Sequence, residues 1–181
     1  MISLRSKITK KLLNYFFLHK SSKLYINQMT RLLKVDHGNL VRKLQKLEKE
    51  GILKSEFKGN QRYYSLNPDY PLIKEYQAIV FKTIGIEAEL RSAFSRIKGI
   101  KHLYIFGSYA RDHMEADSDI DILIVGTAPH LYIEEVVSRL QKKVRREINV
   151  IDFDEVEYQS KIKNDDPFIK DILENPHIKI I

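Results

Sequence analysis

The stretch that decides the fold of this chain is Leu103-Tyr104-Ile105-Phe106-Gly107-Ser108-Tyr109-Ala110-Arg111, followed by Ser118-Asp119-Ile120-Asp121. An apolar run ends at a Gly-Ser turn, and a second apolar run, 122–125, begins directly after the two aspartates. Side chains alternate along a β-strand, so Asp119 and Asp121 are expected to point to the same face of a sheet. Adjacent carboxylates repel each other, and a hard cation such as Mg²⁺ between them removes that conflict. The pattern therefore predicts a site for Mg²⁺ and for phosphate groups.

The order strand, Gly-Ser turn, short helix, Asp-x-Asp and strand resembles the minimal nucleotidyltransferase domain of the polymerase-beta-like superfamily. The matching residues are Gly107, Ser108, Ala110, Arg111, Ser118, Asp119 and Asp121. The resemblance implies that Asp119 and Asp121 are the catalytic residues and the ligands of Mg²⁺. It also implies that Gly107, Ser108 and Arg111 bind a nucleoside triphosphate, although Arg111 could instead fix the loop by pairing with a carboxylate. Antitoxins that modify a partner toxin belong to this family, so a protein acceptor or partner toxin is among the expected partners.

Two positions depart from the family pattern. Asp112 stands where the family usually has a glycine, which is expected to change the shape of the loop more than its chemistry. Asn149 stands where full catalytic sites carry a third carboxylate, and a neutral amide cannot act as a base. Asp152 is expected to face the other side of its strand, whereas Glu147 shares the face of Asn149. The sequence therefore leaves open whether catalysis is retained.

The composition indicates a globular protein with a packed core, because 43% of the residues are hydrophobic. The chain has no cysteine, which excludes disulfides and thiolate metal sites. No run approaches the roughly 18 apolar residues of a membrane-spanning helix, and the N-terminus lacks the pattern of a secretory signal peptide. A cytoplasmic protein without a membrane partner is expected.

Charge is distributed unevenly along the chain. Residues 1–75 contain 16 Lys/Arg and 6 Asp/Glu, a net charge of +10, whereas residues 76–181 contain 15 Lys/Arg and 18 Asp/Glu, a net charge of −3. This asymmetry indicates two modules, the first of which has a polyanion as its expected partner.

Residues 1–70 are predicted to form three helices and a hairpin. Asp36 is a suitable N-cap for the third helix, and Gly51 is a suitable residue to end it. Two β-prone runs flank the glycine-containing loop 58–60. This order resembles a winged helix-turn-helix domain over residues 5–68, which implies binding of double-stranded DNA. The third helix would enter the major groove and the hairpin, or wing, would contact the backbone.

The expected DNA-binding residues are polar or basic residues of the third helix and the wing: Asn39, Arg42, Lys43, Lys46, Lys58 and Arg62. Asn and Arg can read base edges, whereas Lys mostly contacts phosphate. Two alternatives stay open. Lysine-rich helix faces are often merely solvated, and winged helices also serve as protein-docking or dimerisation modules.

The chain is therefore predicted to be an α/β (α+β) protein in three parts. A long connecting helix is expected over residues 71–98, and it could mediate a homodimer. Residues 99–181 are expected to form the nucleotidyltransferase-like domain, with a small mixed sheet flanked by helices. Strands are predicted at 103–106, 120–125 and 148–153, with an edge strand near the C-terminus.

Three functions are compatible with these features. The first is transfer of a nucleoside monophosphate from a nucleoside triphosphate to an unknown acceptor with Mg²⁺, by a protein that also binds DNA. The second is transcription regulation, in which a weakly active or inactive nucleotidyltransferase-like domain senses a nucleotide. The third is an interaction module that acts on neither nucleotide nor DNA. The neutral Asn149 favours the second, and the Gly-Ser and Asp-x-Asp motif favours the first two.

Overall fold

A computed structural model describes residues 4–114 and 118–181 and divides the chain into two compact units, Met1–Gly85 and Ile86–Ile181. The connecting helix predicted over 71–98 is two helices, one in each unit, and the break lies at Gly85. The amides of Ile84 and Gly85 both donate to the carbonyl of Val80, which closes the first helix. A Cβ at Gly85 would lie 2.8 Å from the Cα of Phe81, so the tight turn requires glycine.

The first unit contains helices packed on a small antiparallel sheet. The strand order of this sheet is β1-β3-β2. Its elements are α1 (Lys7–Leu18), β1 (Leu24–Tyr25), α2 (Ile26–Leu33), α3 (His37–Lys49), β2 (Leu53–Lys58), β3 (Gln61–Leu66) and α4 (Ile73–Thr83). The two-residue strand β1 was not expected from the sequence, because such a short segment has no detectable period. The fully buried core includes Phe16, Leu40, Leu44 and Tyr64.

The ends of α3 follow the predicted signals. The side chain of Asp36 accepts a hydrogen bond of 2.8 Å from the amide of Asn39, which satisfies one of the free donors at the start of the helix. Gly51 has φ of +80° just after the helix, a conformation that strains residues with a Cβ. The boundaries of this helix, which presents the predicted DNA-contact residues, are therefore encoded locally.

The second unit is built on a four-stranded mixed sheet. Its elements are α5 (Ile86–Phe94), β4 (Ile100–Phe106), α6 (Gly107–Ala110), β5 (Ile120–Gly126), α7 (His130–Val144), β6 (Ile148–Phe153), α8 (Glu155–Lys163), α9 (Pro167–Glu174) and β7 (Ile178–Lys179). The strand order is β6-β5-β4-β7, with β5 and β6 parallel and the other pairs antiparallel. The predicted α/β fold class is confirmed.

The two faces of this sheet are covered by different helices. On one face, Tyr104 and Leu123 pack with Tyr158 of α8 and with Ile169 of α9. On the other face, alternate strand residues such as Ile105, Ile122 and Ile124 are buried, and α7 packs against β6 and α5. Because Asp121 is two residues from Leu123 on β5, its side chain lies on the α8/α9 face.

The helices of the described segments are short. The longest of them, α7, has 15 residues, and none of the described helices combines the length and the apolarity needed to cross a membrane.

Candidate functional site

The two aspartates of the motif lie at the start of β5. Asp121 is the second residue of the strand, and Asp119 immediately precedes it; both are half-buried. In the sheet register Asp121 is paired with Phe106 of β4 on one side and with Asn149 of β6 on the other. The structure therefore places the two predicted metal ligands next to the predicted third position, on one face of the neighbouring strands β5 and β6.

Asn149 bridges the two carboxylates. Its Nδ2 donates to Oδ2 of Asp119 and to Oδ1 of Asp121, with both distances at 3.2 Å. The amide supplies two N–H donors and thereby offsets the repulsion of two neighbouring negative charges. The same side chain carries an acceptor oxygen, so it can also face a cation after rotation of the amide. Asn149 thus contacts both carboxylates of the acidic pair directly.

The acidic residues nearest in sequence do not complete the pair. Asp152 contacts Nδ1 of His130 at 3.2 Å, at the start of α7, as its position three residues after Asn149 predicts. The backbone carbonyl of Glu147 accepts a 3.0 Å hydrogen bond from the amide of Ile120. Within residues 4–114 and 118–181, no group of three or more His, Cys, Asp or Glu side chains has the arrangement of a metal site.

Gly107 lies against the carboxylate of Asp121. Its φ is +71°, in the left-handed region that glycine adopts most readily. A Cβ at this position would overlap Oδ2 of Asp121 and lie 3.3 Å from its Cγ. The turn therefore requires glycine for two reasons, its backbone conformation and its close approach to the acidic pair.

The short helix α6 is anchored by a buried tyrosine next to Ser108. Tyr109 is 6% exposed, and its hydroxyl donates to Oε1 of Glu87, a buried residue of α5, at 3.4 Å. Burial, reinforced by the Glu87 carboxylate, raises the pKa of Tyr109 far above its usual range, so the phenol stays protonated. Ser108 is half-buried at the start of α6, and its carbonyl accepts from the amide of His113 at 2.9 Å.

Helix α9 supplies partners for the motif that the sequence did not predict. Nη2 of Arg111 lies 3.6 Å from Oδ2 of Asp171, and both side chains are exposed. The rings of Phe106 and Phe168 meet edge to face with centroids 5.9 Å apart. No spacing rule could have revealed these contacts, because about 60 residues of chain separate the partners and tertiary packing alone joins them.

Asp112 adopts the backbone conformation that its family equivalent, glycine, would favour. Its φ is +56°, and its amide donates to the carbonyl of Tyr109 at 3.1 Å. Aspartate is among the few residues other than glycine that visit this region with moderate cost. The loop after α6 thus turns in the left-handed conformation although the glycine is absent.

The acidic pair fits a magnesium ion by its donor set. Mg²⁺ is commonly held by one or two carboxylates together with substrate phosphates and water. Asp119 and Asp121 provide two carboxylates on one face, and the absence of a Cβ at Gly107 lets the backbone of the turn approach the carboxylate of Asp121 closely. These residues can hold the ion that the family resemblance implies.

The predicted DNA-contact residues of α3 lie on its solvent side. Asn39, Arg42 and Lys46 are exposed, and Lys43 is half-buried. Nη2 of Arg42 donates to Oδ1 of Asn39 at 2.8 Å, which holds these two side chains together on the helix surface. The arrangement presents a polar and basic face opposite the buried leucines of the same helix.

The two predicted wing residues differ in their surroundings. Lys58 is exposed near the tip of the hairpin, with its Nζ 3.6 Å from Oε1 of Glu56. Arg62 instead reaches α3, where its Nη2 donates to both carboxylate oxygens of Glu48 at 2.7 and 2.8 Å. Its Nε also donates to Oγ of Ser55 at 2.9 Å, and its guanidinium lies 5.4 Å from the ring centroid of Tyr64. Arg62 thus links the hairpin to α3.

Replacing Arg62 by alanine is expected to lower the free energy of unfolding of the first unit by about 1–2 kcal/mol, because Glu48 would lose its half-buried partner. Urea unfolding followed by circular dichroism measures this change. Lys58→Ala is the matched control on the same hairpin, and it should shift the transition by less than about 0.5 kcal/mol, as is usual for an exposed pair. Equal effects of the two substitutions would contradict a structural role for Arg62.

Comparison with known proteins identifies the family of the second unit. Residues 87–180 match the nucleotidyltransferase domain family. A Methanocaldococcus jannaschii protein named "Putative protein adenylyltransferase MJ0604" is 41% identical over 69 residues, which cover 38% of this chain and 69% of that protein. The crystal structure of a toxin–antitoxin complex with AMP-PNP is 18% identical, with a TM-score of 0.38, and the match covers 52% of this chain and 72% of the other.

A mutant of the toxin–antitoxin pair MntA–HpeT is 14% identical, with a TM-score of 0.40, over 53% of this chain and 73% of the other. These two structural likenesses are too low to support a conclusion. The family match rests instead on more than half of the chain and includes the Gly-Ser turn, the acidic pair and Asn149. The chain therefore belongs to the nucleotidyltransferase domain family.

Proposed function

We propose that this protein binds a nucleoside triphosphate with Mg²⁺ at Asp119 and Asp121 and transfers its nucleoside monophosphate to a hydroxyl group of an acceptor. The observation that carries the proposal is the contact of Gly107 with the carboxylate of Asp121 beside Asp119. This contact brings the turn that would bind phosphate and the pair that would bind the metal to one place. When bound, Mg²⁺ supplies positive charge that stabilises the triphosphate during displacement.

Each residue of the site would have a defined role in the transfer. The acceptor oxygen forms a bond to the α-phosphorus, the bond from that phosphorus to the bridging oxygen breaks, and pyrophosphate leaves. The amide of Asn149 cannot accept the hydroxyl proton, so that proton passes to solvent water. Gly107 and Ser108 would bind the phosphates through the first amides of α6, and Arg111 would add a positive charge beside them. The name of the Methanocaldococcus jannaschii relative supports an adenylyl group and a protein acceptor.

Label position provides a direct test of this function. The protein is incubated with Mg²⁺, a lysate of its source organism and ATP labelled in either the α- or the γ-phosphate. The proposal expects labelled acceptor with α-labelled ATP only, because the γ-phosphate leaves in pyrophosphate. Label from the γ-position would indicate a kinase instead.

A second candidate function is nucleotide sensing, and the contacts of Asn149 favour it. A site with two carboxylates and an amide can bind Mg²⁺ and a triphosphate without a base to activate the acceptor. Mg²⁺-dependent ATP binding without transfer of the α-label would support the sensor over the enzyme.

We also propose that the first unit binds double-stranded DNA through α3. Three features support the proposal: the order of helices and hairpin, the net charge of +10 over residues 1–75, and the exposed positions of Arg42 and Lys46. Lysine and arginine on such a face bind phosphates and release counterions, so the affinity depends on salt. In this proposal Arg62 links the hairpin to α3 and does not contact DNA. Lys58 is still expected to contact the phosphate backbone of the DNA.

Replacing Arg42 and Lys43 together by alanine is expected to weaken binding to a random-sequence DNA duplex about tenfold or more. The slope of log affinity against log salt should fall by about 2, one for each lost phosphate contact. Fluorescence anisotropy over a salt series measures both quantities. The charge-matched control is Lys74→Ala with Lys82→Ala on α4, which should leave the slope nearly unchanged if α3 is the contact surface.

A further inference from the structure

We propose that Phe168 of α9 is the residue on which the base of the bound nucleotide stacks, with a preference for purines. This inference rests on the proposed function, because it concerns the base of the triphosphate held at Asp119 and Asp121. Phe168 lies on the α8/α9 face of the sheet and is not part of the Gly-Ser and Asp-x-Asp motif.

Phe168 is connected to the acidic pair through one neighbouring residue. Phe106 and Asp121 are directly paired across β4 and β5, so their side chains point to the same face. The ring of Phe106 in turn meets the ring of Phe168 at a centroid distance of 5.9 Å. Phe168 thus lies one residue contact beyond Phe106 on the face that carries Asp121, and this is where we place the base of a nucleotide whose phosphates are at Gly107 and Asp121.

The exposure of Phe168 differs from that of its neighbours on the helix. Phe168 is 39% exposed, whereas Ile169 and Ile172 of α9 are 1% and 2% exposed and pack against the sheet. Phe168 therefore uses one edge to contact Phe106 and leaves much of its ring to solvent. An exposed aromatic ring beside a polar site offers a stacking surface to any base, and the larger ring system of a purine covers more of it.

The backbone at Phe168 is held by hydrogen bonds at the start of α9. The carboxylate of Asp166 caps α9 by accepting from the amides of Phe168 at 3.0 Å and Ile169 at 3.2 Å. Lys161 of α8 holds the same carboxylate at 3.1 Å. The ion pair of Arg111 with Asp171 adds a second link between α9 and the motif. A stacking surface that is already ordered costs little conformational entropy when the base binds.

The test compares a ligand that has a base with one that lacks it. Isothermal titration calorimetry with Mg²⁺ measures the binding of ATP, UTP and inorganic tripolyphosphate to the full chain. Phe168→Ala is expected to weaken ATP about tenfold, to weaken UTP less, and to leave tripolyphosphate unchanged. Phe168→Trp should retain or strengthen ATP binding, which also shows that an intact ring at this position is sufficient.

Leu173→Ala is the matched control, because Leu173 is equally exposed on α9 at 38% and is expected to affect none of the three ligands. Unchanged ATP affinity in Phe168→Ala, or equal weakening of ATP and tripolyphosphate, would overturn the inference and leave the proposed function standing. If the wild type binds neither ATP nor tripolyphosphate, the proposed function itself fails.

Discussion

Replacing Asp119 and Asp121 together by alanine is expected to abolish Mg²⁺-dependent ATP binding and to reduce transfer of the α-label at least about a thousandfold. The physical reason is that the pair would hold the Mg²⁺ ion whose positive charge stabilises the triphosphate during displacement. Loss of several kcal/mol of such stabilisation corresponds to a factor of this size. Calorimetry with and without EDTA measures the binding, and the label assay measures the transfer.

The control for this prediction is Glu147→Ala, which removes a neighbouring exposed carboxylate on the same strand face as Asn149. It should leave ATP binding within about twofold of the wild type, since the Glu147 side chain is exposed and is not among the groups that contact Asp119 and Asp121 through Asn149. ATP binding that survives in the double-alanine variant, or that persists in EDTA, would contradict a metal site at the acidic pair.

Replacing Asn149 by aspartate is expected to raise the rate of label transfer about a hundredfold and to tighten Mg²⁺ binding. The new carboxylate would lie beside Asp119 and Asp121, where Nδ2 now donates to both at 3.2 Å, and it can accept the proton of the acceptor hydroxyl. General-base catalysis typically contributes about 10²–10⁴ to a rate. Without Mg²⁺ the same variant should melt a few degrees lower, because three carboxylates repel and their bridging donor is gone.

The double variant Asn149→Asp/Asp152→Asn distinguishes the effect of a carboxylate at position 149 from the effect of a change in net charge. It exchanges an amide and a carboxylate on one strand at constant net charge, and Asp152 faces His130 rather than the site. We expect it to be as active as Asn149→Asp, whereas Asp152→Asn alone should match the wild type. A rate of label transfer for Asn149→Asp below that of the wild type would contradict this prediction. It would mean that the transfer requires the amide of Asn149.

Much of the fold was predictable because its signals are local. The alternation around Asp119 and Asp121 placed both on one face, and the strands of the mixed sheet follow their apolar runs. Asp36 and Gly51 mark the ends of α3 with a side-chain cap and a positive φ. The connecting helix was expected to be continuous because apolar periodicity continues across Gly85, whereas the structure ends α4 at Thr83 and begins α5 at Ile86, with no room for a Cβ at Gly85 beside the Cα of Phe81.

The positions of the motif residues on the sheet were predictable, and their surroundings were less so. The spacing of the motif identified Gly107 and the acidic pair, and the strand pattern placed Asn149 beside them. The role of Arg62 was not visible in the sequence, since its partner Glu48 lies on another element and only the fold brings them within 2.7 Å. The same holds for α9, whose Phe168 and Asp171 meet the motif through the packing of two helices on the sheet.

The sequence by itself determined which chemical groups stand at the motif: two carboxylates with a period of two, a glycine that permits close approach, and a neutral residue at the third position. These are properties of residue type and spacing, which the strand geometry alone converts into a shared face. The tertiary structure decided what surrounds that face. It set Asn149 as a donor to both aspartates and brought Phe168 next to Phe106, because contacts between distant segments depend on how helices pack and not on any local pattern.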